Sequence, residues 1–213
     1  LEQRPDMPYA LLGLAGAAAA QGRLDEAEAT YLKVIETQPN QPVAWERLGA
    51  LRFARGDVEQ AIERLEEAVR LRRTFTEAWF NLGEVYIAAG RLDDSTEAFD
   101  LAIDLAPDMA SAYLRIGEVL RANGHEAEAI ARWRHGAAAV AHNADIPAML
   151  ALHYVVTPTV EHMDYAEADR YARLAVDRDP RHGGAQLARA LAASVTRQFS
   201  TAVVASKQAE ELG

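Results

Sequence analysis

The sequence has no cysteine. Disulfide frameworks and thiolate metal sites are therefore excluded. It has no basic run either: Lys plus Arg number 22 against 32 for Asp plus Glu, a formal net charge of −10. That balance repels a polyanion at long range, so nucleic acid is not an expected partner. Long hydrophobic stretches are missing as well. The longest apolar run, Tyr9 to Ala20, is too short and too rich in alanine to span a bilayer. It also lacks the basic flank of a signal peptide, and no membrane insertion is expected. The chain begins at Leu1 without a methionine, which reads as a piece of a longer protein. The compartment, cytoplasmic or periplasmic, is left open by that reading. What is present is a half-hydrophobic chain with 25% charged residues of both signs mixed throughout. That composition supports a substantial buried core and argues against disorder.

One pattern organises the chain. From Trp79 to Pro107 the skeleton is Trp79, Leu82, Gly83 and Tyr86, then Gly90, Ser95, Phe99, Ala102 and Pro107, and it recurs every 34 residues on both sides. With residues 1–7 as a lead-in, the units begin at Pro8, Pro42, Thr76, Ala110, Ala144 and Gly183. They span 8–41, 42–75, 76–109, 110–143, 144–182 and 183–213. Position 20 is always small: Ala27, Ala61, Ser95, Ala129, Ala168 and Ala202. A small residue there is what two closely crossing helices require. Position 15 is Gly22, Gly56, Gly90 and Gly124, where glycine can take the left-handed backbone that ends one helix and turns into the next. Position 24 is a large apolar knob: Tyr31, Leu65, Phe99 and Trp133. Position 32, at Pro39, Pro107 and Pro180, stops the second helix.

These residues resemble the tetratricopeptide repeat, over essentially all of 8–213. The resemblance implies an all-α fold, a right-handed superhelical α-α solenoid of antiparallel helix pairs, with residues 8–213 as one array. Departures from the pattern are informative. The first helix is apolar nearly all round, which predicts a covering helix on its outer face, from upstream sequence or from a partner. In the fifth unit the pattern breaks at Thr157-Pro158-Thr159, and Pro158 disfavours helix at Thr157. Five extra residues are placed in the turn between that unit's helices, within an enlarged Thr157–Asp164 loop. In the sixth, Arg197-Gln198-Phe199 replaces the glycine turn, and no polar capping helix follows Leu212-Gly213.

No arrangement of residues points to catalysis. His125-Glu126-Ala127-Glu128 is not the HExxH zinc pattern, because position 129 is alanine. The six histidines form no i, i+4 pair, so no metal and no cofactor is expected. Glu63, Glu67 and Arg70 at helical spacing read as a solvated face with ordinary ion pairing. Trp45, Trp79 and Trp133 occupy repeat-signature positions, which assigns them to core packing. Without a nucleophile–base pair, an enzyme is not expected.

The resemblance implies that the first helix of each unit lines a concave groove. Carried onto this sequence, the lining positions give Arg47, Phe53, Phe80, Asn81, Glu84 and Ile87, then Leu114, Arg115, Glu118 and Arg121. Toward the C-terminal end the same positions give Met149, Leu152 and Val155, all apolar. Arg47 and Arg115 are expected to meet acidic groups, Asn81 to meet peptide backbone, and Phe80 to sit in an apolar pocket. The set lacks the Lys and Asn positions by which some relatives clamp a terminal carboxylate, and only Asn81 fits an asparagine ladder. The expected function is a protein-interaction scaffold with a protein or peptide ligand in the groove. Two alternatives accompany it. One, implied by the resemblance, is a non-catalytic arm of a larger bacterial enzyme, since similar bacterial arrays are joined to glycosyltransferase, sulfotransferase or sulfatase-like domains and the Ala- and Arg-rich usage here looks bacterial. The other is self-assembly into a homo-oligomer through the terminal repeats.

Overall fold

The structure, a computed structural model, describes residues 7–156, 164–195 and 197. Among the described residues every regular element is an α-helix. The chain divides at Ala106 and Pro107 into two compact units. The first unit holds α1 (Met7–Ala20), α2 (Leu24–Thr37), α3 (Pro42–Ala54), α4 (Val58–Leu71), α5 (Thr76–Ala88) and α6 (Leu92–Leu105). The second holds α7 (Ala110–Ala122), α8 (Glu126–Ala139), α9 (Asp145–Val156), α10 (Tyr165–Arg178) and a final described helix, α11 (183–195). The first four helix pairs follow the 34-residue period of the sequence, and α9 and α10 fall in the longer 144–182 unit. The fold is the all-α helical repeat that the period predicts.

Four turns within repeats share one geometry. Gly22, Gly56, Gly90 and Gly124 have φ of 76°, 83°, 71° and 82°. Each turn closes with an amide bonded to the carbonyl five residues back: Arg23 N to Ala18 O at 2.9 Å, Asp57 N to Arg52 O at 3.0 Å, Arg91 N to Tyr86 O and His125 N to Leu120 O, both at 2.9 Å. This is the glycine-ended helix terminus in which two otherwise orphaned carbonyls find donors. A short, rigid turn of this kind sends the second helix back along the first.

Knobs and holes then lock each pair. Leu65, Phe99 and Trp133 are buried on the second helices and lie over Gly49, Gly83 and Gly117 of the first. The facing residues at position 20, Ala27, Ala61, Ser95, Ala129 and Ala168, are also fully buried, as close crossing demands. Burying each large knob contributes about 1.5–3 kcal/mol. Between repeats of the first unit, Leu65, Ala68, Val69, Phe75, Ala78 and Leu82 form one apolar cluster joining α4 to α5.

Polar bonds fix the turns between repeats. Trp45 Nε1 donates to Pro39 O at 2.7 Å, Trp79 Nε1 to Arg73 O at 2.8 Å, and Gln186 Nε2 to Pro180 O at 2.8 Å. All three span six residues and start from the same repeat position. Trp45 and Trp79 are thus only half-buried, whereas Trp133 is a true core residue. In the first unit an ionic cluster adds to this: Arg55 pairs with Asp25 (2.5 Å) and Glu28 (2.5 Å), and Arg52 pairs with Glu28 and with Asp57 (3.2 Å). In the second, Arg178 of α10 donates to Ala137 O (2.6 Å), Asn143 O (2.9 Å) and Val140 O (3.0 Å). Its burial lowers the guanidinium pKa.

The irregular fifth repeat resumes where expected. Helix α9 ends at Val156, and Asp164 caps α10 by accepting from Ala166 N (3.1 Å) and Glu167 N (3.0 Å). Of the enlarged Thr157–Asp164 loop, residues 157–163 lie outside the described residues. So do Gln198, Phe199, Ala202 and the chain end at Leu212-Gly213.

Candidate functional site

In the first unit, the first helices α3 and α5 each bury one face against second helices: Ala44, Leu48 and Leu51 on α3, and Ala78, Leu82 and Val85 on α5. The predicted groove residues project elsewhere. Arg47 has a side chain 59% exposed, while Phe53, Phe80, Asn81, Glu84 and Ile87 are half-buried. Asn81 is already partly engaged, because its Nδ2 donates to Glu46 Oε1 at 2.8 Å, which leaves its second N–H and its oxygen for other partners. Glu46 is only 2% exposed, and its other oxygen, which accepts no hydrogen bond, faces Arg47 Nε at 3.3 Å. Burial raises the Glu46 pKa, Arg47 and Asn81 oppose the rise, and Glu77 adds to it. Phe80 rests on Phe99 with ring centroids 5.4 Å apart, so part of its surface is already covered. Phe53 packs against the apolar cluster beside Val43 and Trp45.

In the second unit, Leu114 is half-buried and its carbonyl accepts from Trp133 Nε1 at 3.3 Å. Arg115 Nη1 pairs with Glu118 Oε2 at 2.6 Å, one helical turn away. Arg121 is exposed at the C-terminal end of α7 and borders a cavity of about 440 Å³. Met149, Leu152 and Val156 of α9 form its apolar side, and Trp133, Glu126 and His153 complete it. His153 is buried, with Nε2 3.4 Å from Glu126 Oε1 and its ring edge-on to Trp133 at 5.6 Å. Of Met149, Leu152 and Val155, expected on the concave face, the first two line this cavity, together with Val156 and the charged Arg121 and Glu126.

The sequence reading met Glu126 only in the failed HExxH pattern and His153 only among the six histidines, and did not join them. They lie on different helices of different repeats, and only the stacking of α8 against α9 brings them together. Among the described residues no group of three or more His, Asp or Glu is arranged as metal ligands would be. Among them, too, no helix is long and apolar enough to cross a membrane.

Family models described as Tetratricopeptide repeat match residues 1–51 and 47–110. The chain belongs to the tetratricopeptide repeat family. No curated protein matches it in sequence. Solved tetratricopeptide repeat structures match its fold. A crystal structure of MamA protein is 23% identical, with a TM-score of 0.66 over 84% of this chain and 94% of that one. YrrB, described as a TPR protein with an unusual peptide-binding site, is 19% identical with a TM-score of 0.60, over 84% of this chain and 90% of its own. The first TPR of Spaghetti (RPAP3), solved bound to an HSP90 peptide, is 21% identical with a TM-score of 0.55, over 58% of this chain and 98% of its own. At these identities the likeness is one of fold.

Proposed function

We propose that this tetratricopeptide repeat chain is a protein-interaction scaffold that takes a segment of a partner protein on the first helices of its repeats. The observation that carries the reading is the bond from Asn81 to Glu46, which joins side chains on the first helices of successive repeats. Beside that bond Arg47 is exposed, and Phe53, Phe80, Asn81, Glu84 and Ile87 remain partly accessible. In the second unit Leu114, Arg115, Glu118 and Arg121 are the corresponding residues. Mixed apolar and charged side chains that are accessible but ordered suit a protein partner. The peptide complexes of Spaghetti and the peptide-binding site of YrrB are the precedent for such use of the fold. The reading of residues 8–213 as one array belongs to the same proposal, and a single cooperative unfolding transition is its expected mark.

The test is affinity capture from lysate of the source organism, comparing the wild type with a Phe80→Ala/Asn81→Ala/Arg115→Ala variant of unchanged helicity. A protein retained by the wild type alone is the expected result. Equal retention by both would remove the first-helix face from consideration.

A second reading, self-association, has its own observation. Tyr9 and Leu14 on α1 are 67% and 65% exposed, an unusual pair of large apolar side chains for a free surface. Light scattering over a concentration series tests it, and a monomer throughout would count against it.

A further inference from the structure

The cavity bordered by α7, α8 and α9 has a chemistry more specific than that of a general interaction face. Its apolar side is continuous: Met149 and Leu152 are half-buried, and Val156 at the rim is 68% exposed. Its two charged members are not equivalent. Glu126 is directed at buried His153, 3.4 Å away. Arg121 also lines the cavity and is exposed, and among the described residues no carboxylate pairs with it. A volume of about 440 Å³ lies in the range of ligand-binding clefts and is open to solvent, with room for one large side chain. A ligand that fills this space gains by burying one large apolar group and by placing an anion on the Arg121 guanidinium, whose planar donors favour carboxylate.

We infer that this cavity anchors a partner protein through one large aliphatic or aromatic side chain with a carboxylate beside it, the side chain resting on Met149, Leu152 and Val156 of α9 and the carboxylate meeting Arg121. The inference rests on the scaffold reading above and names the chemistry of its partner. It assigns the strongest contact to the fourth and fifth repeats, away from Arg47 and Asn81, whose polar atoms already meet Glu46. A basic segment is disfavoured at the mouth by Arg121, and a purely apolar one leaves that guanidinium without a counter-charge.

The experiment is selection of a random twelve-residue peptide library on the full chain, followed by affinity measurement of the enriched peptides. Peptides pairing Leu, Met, Phe or Trp with a neighbouring Asp or Glu are the expected product. Arg121→Ala should weaken their binding about tenfold, the loss of one charge-assisted contact. Val156→Asp should weaken it at least as much. Both residues are exposed, so neither substitution disturbs the core. Enriched peptides that lack the acidic neighbour, or whose affinity both variants leave unchanged, would overturn the inference. If those peptides lost binding in the Phe80→Ala/Asn81→Ala/Arg115→Ala variant, the scaffold reading would stand without this anchor. Binding of decanoate, a free apolar carboxylate, with no peptide enriched would overturn the protein-partner assignment. No enrichment and no decanoate binding would overturn the inference together with the scaffold reading.

Discussion

Trp133 lies so close over Gly117 that a Cβ on the glycine would stand 2.1 Å from the indole Nε1. Neither group can give way readily. The indole is fully buried and its Nε1 is held to Leu114 O at 3.3 Å. The glycine is therefore a packing requirement, unlike Gly56, which is a backbone requirement with open space around it.

Three glycine substitutions separate these causes. Gly117→Ala should destabilise by about 1–3 kcal/mol through overpacking, in spite of the better helix propensity of alanine. Gly56→Ala, at φ 83°, should cost about 1 kcal/mol through backbone strain alone. Gly13, inside α1 with nothing within 4 Å, should gain about 0.5–1 kcal/mol on the same change. Urea denaturation of the three variants reads the order, and a neutral Gly117→Ala would refute the packing account.

Glu46 makes stability depend on pH in an unusual direction for a carboxylate. Its native pKa is raised by burial from the ordinary value of 4.5, so the folded state holds the proton more tightly than the unfolded chain. Its contribution is complete below that ordinary value and is lost as pH rises through the raised native one. Glu46→Gln keeps an oxygen for Asn81 and has no charge to desolvate. Its stability relative to the wild type should therefore increase as pH is raised from about 4 to 8. A difference that stays constant across that range in denaturation curves would show that Arg47 and Asn81 fully offset the burial.

Arg178→Lys tests the joint between the fourth and fifth repeats. One ammonium cannot reach Ala137, Val140 and Asn143 carbonyls in the geometry that the planar guanidinium uses. A loss of about 1–2 kcal/mol is expected, because partly buried carbonyls lose donors. Amide exchange should quicken around 140–146, and an unchanged exchange rate there would argue against the joint.

The architecture was legible in the sequence because it is local. Gly22, Gly56, Gly90 and Gly124 announce their turns, and Tyr31, Leu65, Phe99 and Trp133 announce the packed side of each second helix. These signals need only the helical period and the conformational freedom of glycine. The site was legible in part. Arg121 and Leu114 could be placed on a first-helix face from their repeat positions. That Asn81 is already bonded to Glu46 could not be read, since the bond links residues one repeat apart and depends on how closely α3 and α5 stack. The same holds for His153 and Glu126, which no sequence spacing connects.

The six-residue bonds from Trp45, Trp79 and Gln186 have a consequence for modular engineering. Each holds the carbonyl of a turn that precedes its own helix. The turn is thus mechanically the property of the repeat that follows it. A transplantable module should be cut between Gln38 and Pro39, not between Gln41 and Pro42, so that tryptophan and acceptor travel together. Grafts severed at the helix start would carry an indole N–H with no native acceptor, and their junctions would be the first place to fray.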